Sequence, residues 1–253
     1  LLDHEELAAV ADQFGVAEEQ VRRDHLISHV LAVLPKIAPE VLFVGGTALA
    51  RTHLADPAAG GRLSEDIDLW TPDRAAVAAA LDERLPRLLR REFPGSRWDP
   101  PLRAARSAVE PGVLVTTNDL RVRVQLLDHE DWARWPSEHV SIKARYSDIT
   151  SEILLRVPTL QAFAAMKTLA WADRHAARDL YDLARLAELG ALTADAADLV
   201  RDATGASVQK YEFSSLPSGL NWQSQLGHQT SALPAPERCL RTVRKAYGKV
   251  LAW

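Results

Sequence analysis

Apolar positions recur at helical spacing through the first part of the chain, predicting helices over 3–16 and 18–34, the second with Leu26, Ile27, Val30, Leu31 and Leu34 on its apolar side. Pro35 and Pro39 bracket the entry to Val41-Leu42-Phe43-Val44, an apolar, β-branched and aromatic run that suits a buried strand. Gly45-Gly46 ends that strand with residues free to take positive φ, and Thr47 opens a short helix through Leu54. After a turn from Asp56 to Gly61, the segment from Arg62 to Leu69 alternates polar and apolar with period two. It predicts a second strand with Ser64, Asp66 and Asp68 on one face and Leu63, Ile67 and Leu69 turned to the core.

Further along, Asp73 caps a helix from Arg74 to Arg91, with Pro86 as a break or kink. Val113 to Thr117 and Leu120 to Leu127 form a hairpin through Asn118-Asp119, its second strand setting Arg121, Arg123 and Gln125 on one face. The stretch 129–149 is loop-rich and 153–158 reads as a final strand. Helices follow over 159–190, then a long polar loop over 207–236 around Trp222, and a basic helix from Pro236 to Leu251. The pattern is that of an α/β chain with a small mixed sheet flanked by helices, followed by a mostly helical C-terminal part. The boundary is expected near Ser151, dividing the chain into 1–150 and 151–253.

Chemistry concentrates between Val41 and Leu69. The first N–H groups of a helix lack internal partners and can face phosphate oxygens across a glycine turn. Two carboxylates two residues apart on a strand lie roughly 7 Å apart along the chain, so their oxygens can converge on divalent ions. A Gly-Gly turn alone, or an Asp-x-Asp alone, is usually structural. The ordered combination is much rarer.

Strand-GG(S/T)-helix followed by (R)-x-S-E-D-(I/L)-D-(L/F) is the signature of polymerase-β-like nucleotidyltransferases, and within them the chain resembles the AbiEii and MenT toxins. Upstream, Val21 to Ser28 resembles the group's V-x-K-D-x-x-(I/L) segment with Arg23 in place of the usual lysine. Downstream, Lys167 to Leu183 resembles its K…R…RDxxDL block. The resemblance implies a polymerase-β-like domain in which Asp66 and Asp68 hold Mg²⁺ or Mn²⁺. Gly45, Gly46, Thr47 and Ser64 would bind phosphate, and Lys167, Arg174 and Arg178 would neutralise an NTP, CTP being favoured. Asp182 would orient those cations. On a 100° wheel Arg174, Arg178 and Asp182 share a stripe with Lys167, whereas Asp179, also in the implied nucleotide site, lies off it unless the helix breaks near 173–176. Relatives of this fold place a third carboxylate on the strand beside Asp-x-Asp; here that position holds Gln125, with Asp128 the nearest acid, and both stay open.

The implied reaction adds nucleotides, often pyrimidines, to the 3′ end of tRNA, in a toxin whose antitoxin is encoded alongside. Nucleotidyl transfer to a small molecule or a protein side chain is one alternative. A non-catalytic nucleotide-binding module is another.

The 253 residues, 47% hydrophobic and 25% charged, suit a globular protein. Net charge of −4 offers nucleic acid no global attraction, so RNA contact has to come from local basic surfaces. Arg84, Arg87, Arg90, Arg91, Arg97, Arg103 and Arg106 form one candidate; Arg238, Arg241, Arg244, Lys245 and Lys249 form the other. A single cysteine, Cys239, and no apolar run approaching the roughly 18 residues of a membrane span predict a cytoplasmic protein with no membrane contact. His25 and His29 are four apart on a helix, a spacing that can bind zinc, but with no third ligand near in sequence they read as an ordinary pair.

Overall fold

The computed structural model describes residues 2–105, 107, 110–231 and 233–253. Two helices open the chain, α1 (His4–Phe14) and α2 (Glu18–Ile37). The Asp3 carboxylate accepts from the Glu6 N–H at α1's start, and Gly15 closes it in the left-handed region at φ 61°. α2 runs through Pro35 rather than ending before it. Proline there removes one backbone donor in the final turn, a modest loss where Leu31, Leu34 and Ile37 are buried.

The sheet has seven strands: β1 (Leu42–Val44), β2 (Asp66–Trp70), β3 (Arg97–Trp98), β4 (Gly112–Val115), β5 (Arg121–Leu127), β6 (Ser137–Ile142) and β7 (Ile153–Pro158). Their order is β3-β4-β5-β2-β1-β7-β6. β1 pairs antiparallel with β2 and parallel with β7, and β2 pairs parallel with β5. The hairpin of β4 and β5 forms as expected. β7, from beyond residue 150, belongs to the same sheet as β1.

Two elements depart from the sequence reading at the second strand and in the stretch after Leu127. β2 begins only at Asp66, because 62–65 is tied elsewhere: Leu63 N–H donates to Gln229 O at 3.0 Å, and Gln20 Nε2 donates to Ser64 O at 3.4 Å. Ser64 therefore lies in the approach to the strand, not on its face. β6 occupies part of the expected loop; its Ser-Glu-His-Val-Ser-Ile run is largely exposed at the sheet edge and carries little apolar signal.

Between and after the strands lie α3 (Gly45–Arg51), α4 (Arg74–Leu88), α5 (Leu160–Arg174), α6 (Ala177–Glu188), α7 (Ala194–Thr204), α8 (Gly219–Leu226) and α9 (Pro236–Leu251). α8 replaces part of the expected polar loop; Ser218 caps it, and Trp222 and Leu226 anchor it. α6 packs on α5, α8 and α9. Cys239 on α9 is buried as a free thiol. Among the described residues no helix is long and apolar enough to cross a membrane.

Alternation along β2 decides where its acids go. Ile67 and Leu69 enter the main core with Leu26, Leu81 and Val124. Trp70 joins Leu42, Val44 and Met166 in a separate cluster on the other face, so Asp66 and Asp68 are set on that second face. Buried Asp24 of α2 gathers Arg51 Nη2 at 2.8 Å, Arg145 Nη1 at 2.9 Å and Tyr146 Oη at 2.8 Å. This links α2, α3 and the β6–β7 connection.

Candidate active site

Asp66 and Asp68 border a cleft of about 760 Å³ between the sheet and α5, with α6 at its rim. Gly45 lies directly beneath Asp68: its φ is 78°, and a Cβ there would fall 2.2 Å from Asp68 Oδ2. Glycine is therefore required twice over, by backbone conformation and by the approach of the carboxylate. The Thr47 hydroxyl donates to Asp66 O, pinning α3 to β2. Gly45, Gly46, Thr47, Ser64, Lys167, Arg174, Arg178 and Asp179 all line the same cleft.

The two acids differ in their surroundings. Burial, and then the neighbouring Asp66 charge, raise the Asp68 pKa to about 6 against the pull of Lys167, Arg178 and Arg174. Burial also raises Asp66, with Arg123 and Arg178 opposing; Arg123 Nε stands 3.9 Å from Asp66 Oδ1. Two adjacent carboxylates whose charge is incompletely balanced suit a hard divalent cation, and their oxygen chemistry fits Mg²⁺ or Mn²⁺.

The cationic side is built differently from a single helical stripe. α5 ends at Arg174, His175 turns the chain through the left-handed region at φ 49°, and α6 restarts at Ala177. The break resets the helical phase and brings Asp179 into the group. Lys167 Nζ sits 3.0 Å from Asp179 Oδ1 and 2.6 Å from Asp182 Oδ2. Arg174 meets Asp179 through Nε at 2.7 Å and Nη2 at 3.0 Å. Arg62, which the sequence pattern includes without a role, forms a fork on Asp182 at 3.1 and 3.0 Å and donates to Gln229 Oε1 at 2.6 Å. Burial works to raise the Asp182 pKa, but Arg62 and Lys167 outweigh it and hold it at about 2. Asp179 is likewise lowered, Lys167 and Arg174 outweighing its burial. Lys167 and Arg62 are only 7% and 5% exposed, so this is a buried ion network, not a solvated face.

Parallel pairing of β2 with β5 places Gln125 opposite Asp68 and Arg123 opposite Asp66. Gln125 lines the cleft, whereas Asp128 is exposed beyond the end of β5. Trp132, Trp135, Phe163 and Met166 add an apolar wall that the sequence did not single out. A second groove of about 530 Å³ shares Glu65, Asp66, Arg123 and Arg178 with the cleft and adds Arg23, Arg121 and His228. Among the described residues, neither basic region named from sequence borders these openings. Arg84 donates to Lys36 O, Arg87 pairs with Glu83 and Arg103 with Asp82, while Arg106 lies outside the described residues.

Residues 29–239 match the family described as Nucleotidyl transferase AbiEii toxin, Type IV TA system. The fold is similar to MenT4, a nucleotidyltransferase toxin from Mycobacterium tuberculosis H37Rv, at 21% identity and a TM-score of 0.67 over 95% of this chain and 88% of that one. An antigenic nucleotidyltransferase-like protein from Paracoccidioides brasiliensis aligns at 15% identity over 75% of this chain and 87% of that one, with a TM-score of 0.43. No curated protein matches the chain.

Proposed function

Because the chain belongs to the AbiEii nucleotidyl transferase toxin family of type IV toxin–antitoxin systems, we propose that it transfers a nucleotide from an NTP, with CTP favoured, to the 3′ end of tRNA. The cleft bordered by Asp66 and Asp68 is the transfer site in this reading. The observation that carries it is geometric: the neighbouring carboxylates Asp66 and Asp68 share one cleft of about 760 Å³ with Lys167, Arg174 and Arg178.

Asp66 and Asp68 would hold Mg²⁺ or Mn²⁺, which would supply Lewis-acid stabilisation of phosphoryl charge. Gly45, Gly46, Thr47 and Ser64, which line the cleft, receive the phosphates, the two glycines letting Asp68 and Arg62 pack against the turn. Arg178 neutralises triphosphate charge together with Arg174, and Lys167 adds positive potential from within its ion network. Asp179 holds Lys167 and Arg174, and Asp182 holds Lys167 and Arg62, offsetting part of their charge while no substrate is bound. The 3′ oxygen attacks the α-phosphorus, its bond to that phosphorus forms as the α–β bridge breaks, and pyrophosphate leaves with the electron pair. Trp132 and Met166, half-buried in the lining, offer apolar and aromatic surface for a base, with Phe163 and Trp135 packed behind them.

The adjoining groove supports RNA as the acceptor. Its lining sets four arginines, Arg23, Arg121, Arg123 and Arg178, against two acids, Glu65 and Asp66, leaving an excess of positive charge where it meets the cleft. Arg23 and Arg121 are also paired with Glu19, Glu65 and Asp119. Residues 1–150 then carry the metal and phosphate contacts, and residues 151–253 supply the cationic helices. A cognate antitoxin follows from the family.

The test is incubation with each α-labelled NTP, Mg²⁺ and total tRNA. Labelled tRNA, strongest with CTP, is expected. Label in a small molecule or on protein, with none in tRNA, would move the reading to the other acceptor classes.

A further inference from the structure

Outside the cleft, the chain brings together a group that sequence spacing left incomplete. His25 and His29 share one face of α2, and Asp148, from the connection between β6 and β7, meets them both. His29 Nε2 lies 3.1 Å from His25 Nε2; Asp148 Oδ2 lies 3.0 Å from His25 Nε2 and 3.2 Å from His29 Nε2. None of the three lines either opening described above.

Hydrogen bonding accounts poorly for this triangle. Each imidazole Nε2 carries at most one hydrogen. If both nitrogens are protonated, both can donate to Asp148, but the 3.1 Å contact then sets two N–H groups against each other. If only one is protonated, the other points its lone pair at a carboxylate oxygen 3.2 Å away. A cation within reach of all three atoms accepts all three lone pairs. Ligands about 2.0–2.1 Å from a tetrahedral zinc ion stand roughly 3.3 Å from one another, close to all three edges of the triangle.

We infer that His25, His29 and Asp148 form a binding site for a divalent transition metal, Zn²⁺ by ligand type, that staples the β6–β7 connection to α2. Two imidazoles and one carboxylate suit zinc better than the all-oxygen coordination that Mg²⁺ prefers. The surroundings hold the ligands in place. Arg145 and Tyr146, just before Asp148, bond Asp24, which is the residue preceding His25. The Phe93 ring lies 5.5 Å from both imidazoles, and the Tyr146 ring 4.9 Å from His25. Both histidines are buried, while Asp148 keeps some exposure.

The full chain should be loaded with Zn²⁺, desalted, and measured by elemental analysis and zinc-edge X-ray absorption. About one tightly held zinc per chain with two imidazole ligands is expected. Near-complete loss of the ion is expected in Asp148→Asn and in His29→Gln, with retention in the Asp66→Asn/Asp68→Asn double variant. Removing zinc from the wild type should lower its melting temperature. No retained zinc, an all-oxygen shell, unchanged binding in both cluster variants, or loss in the double variant would each overturn the inference. The wild-type spectrum decides the matter even where a variant fails to fold.

Discussion

Asp68→Asn is expected to abolish nucleotidyl transfer while making the metal-free protein more stable. Loss of a ligand to the catalytic ion should remove about 4 kcal/mol or more of transition-state stabilisation, roughly a thousandfold in rate. The stability effect follows from the Asp68 carboxyl, whose pKa burial raises from 3.8 to about 6. A carboxyl with a raised folded-state pKa binds its proton more tightly in the fold than in the unfolded chain. The contribution of Asp68 to stability is therefore fully present below about pH 3.8 and lost as pH rises through about 6. Above that window the charged Asp68 costs on the order of 3 kcal/mol, and a neutral asparagine does not incur that cost. Thermal melts of both proteins in chelator at pH 7.5 and pH 4 check this. The variant should melt several degrees higher at the upper pH, lose most of that advantage at the lower, and gain nothing from Mg²⁺. Equal melting temperatures at both pH values would contradict the site's electrostatics.

The second large effect falls on folding. Asp182→Ala should destabilise the protein by roughly 3–5 kcal/mol, since it leaves Arg62 and Lys167 buried without that counter-charge. That is a large share of the ~5–15 kcal/mol typical of a folded chain, so poor yield is expected with the weak urea midpoint. The Asp182 pKa is depressed to about 2, so its stabilisation is present above about pH 3.8 and lost as pH falls through about 2. Urea titration of wild type and variant at pH 7 reads the difference. An unchanged midpoint would mean that the fork from Arg62 and the bridge to Lys167 contribute little to the folded state.

What the sequence discloses is local. The turn at Gly45-Gly46 and the period-two alternation around Asp66 and Asp68 follow from patterns spanning a few residues, and each reappears in three dimensions. The place of Gln125 beside Asp68 comes from the family resemblance, with Asp128 as the alternative. The features that escaped depend on distance in the chain. Arg62 finds its role only when α6 brings Asp182 to it, 120 residues on. The break at His175 has no proline or glycine to announce it, so the sequence poses a break near 173–176 only as a condition, and it is met: it brings Asp179 to Lys167. β6 is too polar at the sheet edge to show an apolar face, and α8 is anchored by only two buried side chains, Trp222 and Leu226. Asp148 lies 119 residues beyond His29, so helix spacing alone could show two ligands and never the third.

The most direct measurement of the central claim follows the label from each position of the nucleotide. CTP labelled at the α-phosphate and CTP labelled at the γ-phosphate are supplied in parallel with Mg²⁺ and tRNA, and with tRNA whose 3′ diol has been destroyed by periodate. Transfer at the cleft of Asp66 and Asp68 predicts α-label in intact tRNA, γ-label only in pyrophosphate, and neither label in oxidised tRNA, with both signals lost in Asp66→Asn. Label from the γ-phosphate on the acceptor, or undiminished transfer by Asp66→Asn, would contradict it.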